Sequence, residues 1–162
     1  MQASHDKYDH VRERIKAHEG LRLMRYVDSL GYPTIGYGHA LTPDEIRHGT
    51  WDKISRAEAD AIFEGDFREA MKEAKRIFDP IWHHINAARQ GVLIEMTYQL
   101  GPVGVGRFKK MWKALNTYDY RLAAVEMLNS QWAKQTTERC CILALIMLRG
   151  EDIGQRVGDV KA

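Results

Sequence analysis

Apolar residues in the middle of the chain recur at the spacing of an α-helix. The longest such run lies within residues 56–79 and consists of Ile62, Phe63, Phe67, Ala70, Met71, Ala74, Ile77 and Phe78. Ser55 and Glu58 have the spacing of a capping box before this run, and Pro80 marks its predicted end. The pattern predicts one long helix, which we expect to connect two lobes.

Beyond Pro80 the apolar positions keep a helical period. They predict helices over residues 87–100, 108–115, 120–128 and 137–149, with Gly104 and Gly106 in a loop and a short turn at Trp132. The last of these helices is apolar almost all round, so we expect it to form the buried centre of a helical lobe. Gly150 is its predicted C-cap.

The first fifty residues follow a different pattern. They predict a helix over residues 9–18, strands over 23–28 and 32–39, and a polar connector over 41–50. Asp9 is the predicted N-cap of the helix, and Gly20 favours its termination after Glu19. Gly36 and Gly38 leave one face of the second strand bare, which permits the close approach of a ligand or of another backbone segment.

These elements predict a mostly helical α+β fold with a small antiparallel sheet early in the chain. We expect one domain over residues 1–162. Within it, a β-containing lobe with a cleft covers about residues 19–55, and the connecting helix covers 56–79. The helical lobe is predicted to cover residues 80–150 together with the N-terminal helix.

The charge distribution gives a weak indication of an anionic partner. The formal net charge is +2. Residues 107–149 contain eight Lys or Arg and three Asp or Glu, a surplus of five positive charges. Such a segment suits a bacterial wall or a nucleic acid, and an ordinary solvated helix surface explains it equally well.

Several residues favour a structural interpretation over a functional one. Cys140 and Cys141 are adjacent, which excludes a disulfide framework, and both are predicted to act as small buried hydrophobes. The pair His83 and His84 is expected to be solvated, and the spacing of metal-site motifs is missing from the sequence. Trp132 is expected to be a core residue.

Two segments decide the predicted location of the protein. The polar residues 1–10 lack the apolar core of a signal peptide. The apolar residues 140–148 are about half as long as the roughly 18 residues that span a bilayer. We therefore expect a soluble protein made in a cytoplasm, without a transmembrane segment.

Candidate chemistry lies in the predicted helix–hairpin segment. Glycosidic cleavage needs a proton donor for the leaving oxygen and a second carboxylate on the opposite face of the sugar. Glu19, Asp28 and Thr34 supply two carboxyl groups and a hydroxyl on one compact element. Residue types alone carry little weight, because most Glu/Asp pairs at such spacing are solvated surface charges.

The order of residues along the chain resembles the phage-type lysozymes of glycoside hydrolase family 24. The matching segments are Glu19-Gly20-Leu21-Arg22-Leu23, Tyr26-x-Asp28, Gly31-Tyr32-x-Thr34-Ile35-Gly36-Tyr37-Gly38-His39, Asp60-Ala61-Ile62-Phe63-x-x-Asp66, Gln99-Leu100-Gly101, Gly104-Val105-x-x-Phe108, Ala123-Ala124-Val125, Ser130-x-Trp132 and Gln135-Thr136. They occur in a consistent order from about Val11 to Arg149, which is far more specific than any single motif.

The resemblance implies a lysozyme-like two-lobed fold and a role for each candidate residue. Glu19 is the implied general acid, Asp28 orients the attacking water or stabilises positive charge on the sugar, and Thr34 helps to hold that water. Inversion at the anomeric carbon is also implied, with about 6.5–9.5 Å between the two carboxyl groups. Tyr98 and Gln99 are the implied substrate contacts.

The family pattern also gives His39 a structural role, because it pairs this histidine with Asp66. Four other positions depart from the family pattern. Ala40, Met111, Glu126 and Gln131 stand where the family carries leucine, serine, asparagine and arginine in the cleft. These departures concern substrate preference and leave the three candidate catalytic residues unchanged.

The resulting hypothesis is a phage endolysin, a cofactor-free and metal-free muramidase that cuts peptidoglycan between N-acetylmuramic acid and N-acetylglucosamine. It is expected to be a monomer that accumulates in the host cytoplasm, reaches the periplasmic peptidoglycan through a separate holin, and neither inserts into membranes nor binds nucleic acid. One alternative is a non-catalytic peptidoglycan-binding or structural module of the same fold. A nucleic-acid-binding helical domain is the other alternative, and no recognised motif supports it.

Overall fold

The computed structural model describes residues 6–49 and 51–153. In these residues the chain forms the helices α1 (Asp9–Glu19), α2 (Pro43–His48), α3 (Arg56–Ile77), α4 (Asp79–Trp82), α5 (Ala87–Gly106), α6 (Lys109–Asn116), α7 (Tyr120–Leu128), α8 (Gln131–Gln135) and α9 (Thr137–Arg149). The strands are β1 (Arg22–Val27), β2 (Pro33–Gly36) and β3 (His39–Ala40). The mostly helical α+β fold is therefore confirmed.

The chain divides into two compact units. One unit contains residues 12–69, and the other contains the described residues 6–11 and 70–153. Both boundaries fall inside a helix, one in α1 and the other in α3.

The unit of residues 12–69 is built around a small antiparallel sheet. Its strand order is β1-β2-β3, with Tyr26 opposite Thr34 and Thr34 opposite Ala40. The inner side chains Ile35, Phe63 and Phe67 are almost completely buried. The capping box predicted at the start of α3 is confirmed, since the Ser55 and Glu58 side chains each accept the other residue's backbone N–H.

The predicted second strand over residues 32–39 is wrong in one respect, because it is divided into β2 and β3. The backbone turns at residues 37–38. Gly36 has φ of 66° and Gly38 has φ of 82°, values that residues with a Cβ rarely adopt. Gly36 therefore ends β2 and Gly38 lies in the tight turn that follows, so the two glycines do not form one face of a continuous strand.

The predicted polar connector over residues 41–50 is also wrong, because it contains α2. Thr42 and Glu45 form a capping box at its start, Pro43 occupies its first turn, and Gly49 ends it with φ of 64°. The helix α1 begins before this unit, in residues of the other unit, and Asp9 lies inside its first turn instead of at the predicted N-cap position.

The second unit is a helical cluster around α9. This helix packs against α5, α7 and α8, and its inward residues Leu143, Ile146 and Met147 are buried. The predicted bounds of α7 and α9 are confirmed, and Gly150 caps α9 in the left-handed conformation. The opposite face of α9 is partly solvated, so this helix is not buried all round.

Four further expectations for the second unit have mixed outcomes. Cys140 is buried as predicted, but Cys141 is exposed, because it lies on the solvated face of α9. The loop predicted around Gly104 is wrong, because α5 continues to Gly106 after a kink at Gly101, where φ is 70° and ψ is 169°. Trp132 is buried as expected, and the pair at residues 83–84 is exposed.

Candidate active site

Asp28 follows β1 and is fixed by the hairpin turn. Its Oδ1 accepts the backbone N–H groups of Leu30 at 2.9 Å and Tyr32 at 2.8 Å. Its own backbone N–H donates to the Tyr32 carbonyl at 2.9 Å, and its carbonyl accepts from Gly31 at 3.0 Å. An aspartate that bonds to the backbone of its own turn is a common way to rigidify a turn. The position of this carboxyl group is therefore set by local backbone contacts.

Thr34 lies opposite Tyr26 in the sheet and is 3% exposed. Its hydroxyl donates to the Tyr32 carbonyl at 2.9 Å. A threonine hydroxyl has one proton to donate and two lone pairs to accept. Since the proton is used in the turn, the oxygen keeps its capacity as an acceptor.

Glu19 is the last residue of α1, and its side chain is half-buried. Gly20 follows with φ of 72°, which ends the helix and turns the chain into β1. The Glu19 carboxyl group lies against the backbone of Gly38 in the turn between β2 and β3: a Cβ built on Gly38 would be 2.9 Å from Oε2. The helix end and this turn together determine where the acid is presented.

The Tyr26 side chain is influenced by the charges of both candidate catalytic carboxyl groups. Burial raises the pKa of Tyr26 above its usual value, the nearby Arg22 lowers it, and the charges of Glu19 and Asp28 raise it. The Arg22 guanidinium lies 4.4 Å from the centre of the Tyr26 ring. One phenol is therefore within Coulombic reach of both candidate catalytic residues.

His39 anchors β3 to the neighbouring helices. Its Nδ1 lies 2.9 Å from Asp66 Oδ2, and its Nε2 lies 3.3 Å from both carboxylate oxygens of Glu45. The hydrogen bond to Asp66 is the main reason that the pKa of His39 is raised, with burial acting in the opposite direction and Glu45 adding to the increase. The predicted pairing of His39 with Asp66 is confirmed.

Burial tends to raise the pKa of Glu45, but hydrogen bonds from Thr42 and His39 outweigh it and hold this pKa below its usual value. Glu45 thus completes the capping box of α2 and contacts the histidine at the same time.

The predicted site residues divide between the two units. Glu19, Asp28 and Thr34 all belong to residues 12–69, with Glu19 at the end of α1, Asp28 directly after β1 and Thr34 in β2. Tyr98 and Gln99 belong to the other unit, in α5, and both are half-buried. Gln99 accepts the indole N–H of Trp132 at 2.9 Å, so its amide orientation is fixed by a buried aromatic residue.

A pocket of about 570 Å³ lies within the helical unit. Its walls include Phe108, Met111, Glu126, Gln131 and Trp132. Three of the four positions that depart from the family pattern therefore line one pocket. The fourth, Ala40, is an exposed residue of β3 in the other unit.

Two residues near the site lie outside the predicted set of catalytic and substrate-binding residues. Tyr26 has one signal in the sequence, its place two residues before Asp28 in the strand. Gly38 is predicted to permit close approach, and the structure shows that the approaching group is Glu19.

The described residues were also compared with the requirements of a metal site and of a membrane-spanning helix. Among them, no three His, Cys, Asp or Glu side chains come together as metal ligands would. No helix in the described ranges combines the length and the apolar character needed to cross a bilayer.

Comparison with known proteins agrees with this lysozyme-like fold. The family model described as phage lysozyme matches residues 16–146, so the chain belongs to the phage lysozyme family. Two similar proteins are the probable T4-type lysozymes 2 and 1 of Dictyostelium discoideum, which are 30% and 31% identical over 80% of this chain and 88% of their own length. The family indicates a glycoside hydrolase of the lysozyme type and peptidoglycan as the class of substrate.

A third relative is a much longer protein. The pre-baseplate central spike protein Gp5 of Enterobacteria phage T4 is 31% identical over 85% of this chain. The match spans 27% of the length of the spike protein.

Proposed function

We propose that this protein is a phage endolysin, a muramidase that hydrolyses the β-1,4 bond between N-acetylmuramic acid and N-acetylglucosamine. The observation that carries the proposal is the arrangement of Glu19, Asp28 and Thr34 around Tyr26. This tyrosine pairs with Thr34 in the sheet, and the charges of both carboxyl groups raise its pKa. A pair of carboxyl groups is what most enzymes that hydrolyse a glycosidic bond use, and a threonine hydroxyl can in addition bind the water.

Glu19 is the proposed general acid. In its protonated form it donates to the glycosidic oxygen as the bond from that oxygen to the anomeric carbon breaks. Its half-buried position at the end of α1 and its contact with the Gly38 backbone support this role, because a positioned acid transfers its proton more effectively than a mobile one.

Asp28 and Thr34 are proposed to act on the attacking water. The Thr34 hydroxyl already donates to Tyr32, so a water can donate one proton to Thr34 Oγ1 and the other to the Asp28 carboxylate. The water oxygen then has a lone pair directed away from both residues, toward the anomeric carbon. As the new C–O bond forms, Asp28 takes the proton, and the configuration of the sugar is inverted.

Each turnover leaves Glu19 ionised and Asp28 protonated. Exchange with solvent restores both groups, so the cycle needs no cofactor. The proposal includes a monomeric enzyme that acts on periplasmic peptidoglycan after a separate holin opens the inner membrane.

The test is the loss of turbidity of purified Gram-negative peptidoglycan, with the parent and Glu19→Gln in parallel. The parent is expected to clear the suspension and release new reducing ends, while the variant remains folded by circular dichroism and inactive. Proton NMR of freshly released ends distinguishes the two stereochemical outcomes, since inversion of a β-linkage gives the α-anomer first. Equal clearing by Glu19→Gln would show that Glu19 is not the acid.

A second candidate function is a peptidoglycan-binding structural module without catalysis. It is favoured by the pocket that contains Met111, Glu126 and Gln131 in place of the family's residues. Sedimentation of the parent with peptidoglycan, without release of reducing ends, would support this candidate over the endolysin.

A further inference from the structure

Among the described glycines with positive φ, Gly38 and Gly150 are the two at which an added Cβ would lie within 3.0 Å of a side-chain atom, that of Glu19 at Gly38 and that of Arg89 at Gly150, and only Gly38 faces a candidate catalytic group. It has φ of 82°, and an added Cβ would lie 2.9 Å from Glu19 Oε2, 3.5 Å from Cδ and 3.8 Å from Cγ. A contact of 2.9 Å is shorter than real Cβ atoms make, so either the carboxyl group or the turn would have to move. The hydrogen atom that a Cβ would replace therefore points at the Glu19 carboxylate.

Position 38 requires glycine for two reasons, the positive φ of the backbone and the space that the Glu19 carboxyl group occupies. Three other glycines with positive φ show the first reason without the second. Gly31 and Gly49 have φ of 89° and 64°, and a Cβ on either would meet no described atom within 4 Å. A Cβ on Gly36 would make ordinary contacts with Ile54 at 3.6 Å and Ala59 at 3.8 Å. Backbone conformation explains these glycines, whereas Gly38 also leaves room for a carboxyl group.

The turn that carries Gly38 is held on both sides. Tyr37 is 6% exposed, and its ring packs edge-on against Phe63 at 5.5 Å between centres. His39, on the other side, is bonded to Asp66 and Glu45. The backbone at Gly38 is thus anchored to α2 and α3 through both of its neighbours. It forms a fixed wall for the side chain at the end of α1.

We propose that Gly38 is a positioning residue for Glu19: its bare Cα sets the orientation of the carboxyl group from which the proton is delivered. The inference rests on the proposed role of Glu19 as the acid. A side chain at position 38 displaces the Glu19 carboxyl group, and a displacement of about 1 Å in a reacting group can reduce the rate by about 100-fold. Substrate contacts elsewhere are unaffected, so the effect falls on kcat.

The first experiment compares Gly38→Ala with Gly49→Ala on soluble, uncross-linked peptidoglycan fragments. Both substitutions introduce a Cβ at positive φ, but that of Gly49→Ala has no described atom within 4 Å. We expect Gly38→Ala to lower kcat by about 10-fold or more with KM within about twofold of the parent, and Gly49→Ala to keep both values. A parent-like kcat in Gly38→Ala would overturn the proposal.

The second experiment requires no catalysis. It measures Tm in the parent and in Gly38→Ala and Gly49→Ala, first with Glu19 present and then combined with Glu19→Ala; the double variant is Gly38→Ala with Glu19→Ala. Gly38→Ala is expected to lower Tm more than Gly49→Ala does, and this excess is expected to disappear when Glu19 is replaced by alanine. An excess that persists without Glu19 would overturn the proposal. If Gly38→Ala alone does not fold, the double variant is expected to fold, and its failure to do so would also overturn it.

These readouts separate the two proposals. An inactive parent would refute the endolysin function and leave the Tm comparison to report the contact between residues 19 and 38. An active parent with an unaffected Gly38→Ala would refute the positioning role alone.

Discussion

Arg139 Nε donates to Glu95 Oε1 at 2.9 Å, and the two side chains are 8% and 0% exposed. The pair joins α9 to α5 inside the helical unit. An ion pair in such a place is sensitive to the loss of one partner, because the remaining charge stays buried without its counter-ion.

We expect Glu95→Ala to lower the free energy of unfolding by about 3–5 kcal/mol. The double replacement Glu95→Met with Arg139→Met is expected to recover most of this loss, because two apolar side chains need no desolvation of charge. Urea unfolding followed by circular dichroism at neutral pH measures both effects. Arg47→Ala is the control: it breaks an exposed pair with Asp44 and is expected to change stability by less than about 1 kcal/mol. A similar loss in both single variants would contradict the expectation.

The contact between His39 and Asp66 predicts a pH-dependent stability. The pKa of His39 is raised in the folded state, so protonation stabilises folding. This contribution is fully present below the unfolded-state histidine pKa of about 6.5, and it is lost as the pH rises through the higher folded value. We expect His39→Asn to be destabilised by about 1 kcal/mol at about pH 5.5 and by much less at about pH 9.

Melting curves at the two pH values check this, with the exposed His83→Asn as the control. An equal loss of stability at both pH values would mean that the ionised form of His39 contributes nothing.

Thr34→Val is expected to lower kcat by about 10- to 100-fold and to leave KM nearly unchanged, because valine has the shape of threonine but cannot accept a hydrogen bond from water. Thr34→Ser keeps the hydroxyl and is expected to remain within a few-fold of the parent. Thr117→Val is a matched control, since the Thr117 hydroxyl also donates to a backbone carbonyl. Steady-state kinetics on soluble fragments distinguish the variants, and equal rates for Thr34→Val and the parent would exclude the water-binding role.

Glu126→Gln is expected to lower KM for peptidoglycan at low salt by a few-fold, with kcat unchanged. Peptidoglycan stem peptides carry free carboxylates, and Glu126 brings a like charge into the pocket beside Gln131. Glu138→Gln makes the same charge change at an exposed position of α9. If both variants lower KM equally, the effect is one of net charge and the pocket has no particular role.

The two adjacent thiols should react very differently. Burial, with a smaller contribution from Cys141, raises the pKa of Cys140 to about 11, and Cys141 is exposed. The thiolate is the reactive form, so we expect a disulfide reagent at neutral pH to modify one thiol in the native protein and two after unfolding. Cys141→Ser is expected to leave no rapidly reacting thiol, and rapid modification of that variant would contradict the burial of Cys140.

The elements that the sequence predicts best are those whose signals are local. The bounds of α7 and α9 follow from apolar spacing and from Gly150, and the start of α3 follows from Ser55 and Glu58. The capping box at Thr42 and Glu45 carries the same kind of signal, but α2 has no buried residue, so hydrophobic periodicity gives no indication of it.

Other features depend on contacts that no local pattern contains. Positive φ at Gly36 and Gly38 breaks the predicted strand. The nearness of Tyr26 to both Glu19 and Asp28 depends on how α1 ends against the hairpin, so it emerges from the structure and not from residue types.

The hairpin turn held by Asp28 also has a consequence for folding. Glu19 and Thr34 are 15 positions apart in the chain, and the bonds that fix Asp28 reach no further than Tyr32. Closing such short loops has a small entropic cost and is fast, on the order of 10–100 ns for a loop of about ten residues. The bonds that hold Asp28 and Thr34 therefore have low sequence separation, and this hairpin can form before the helical cluster around α9 has assembled.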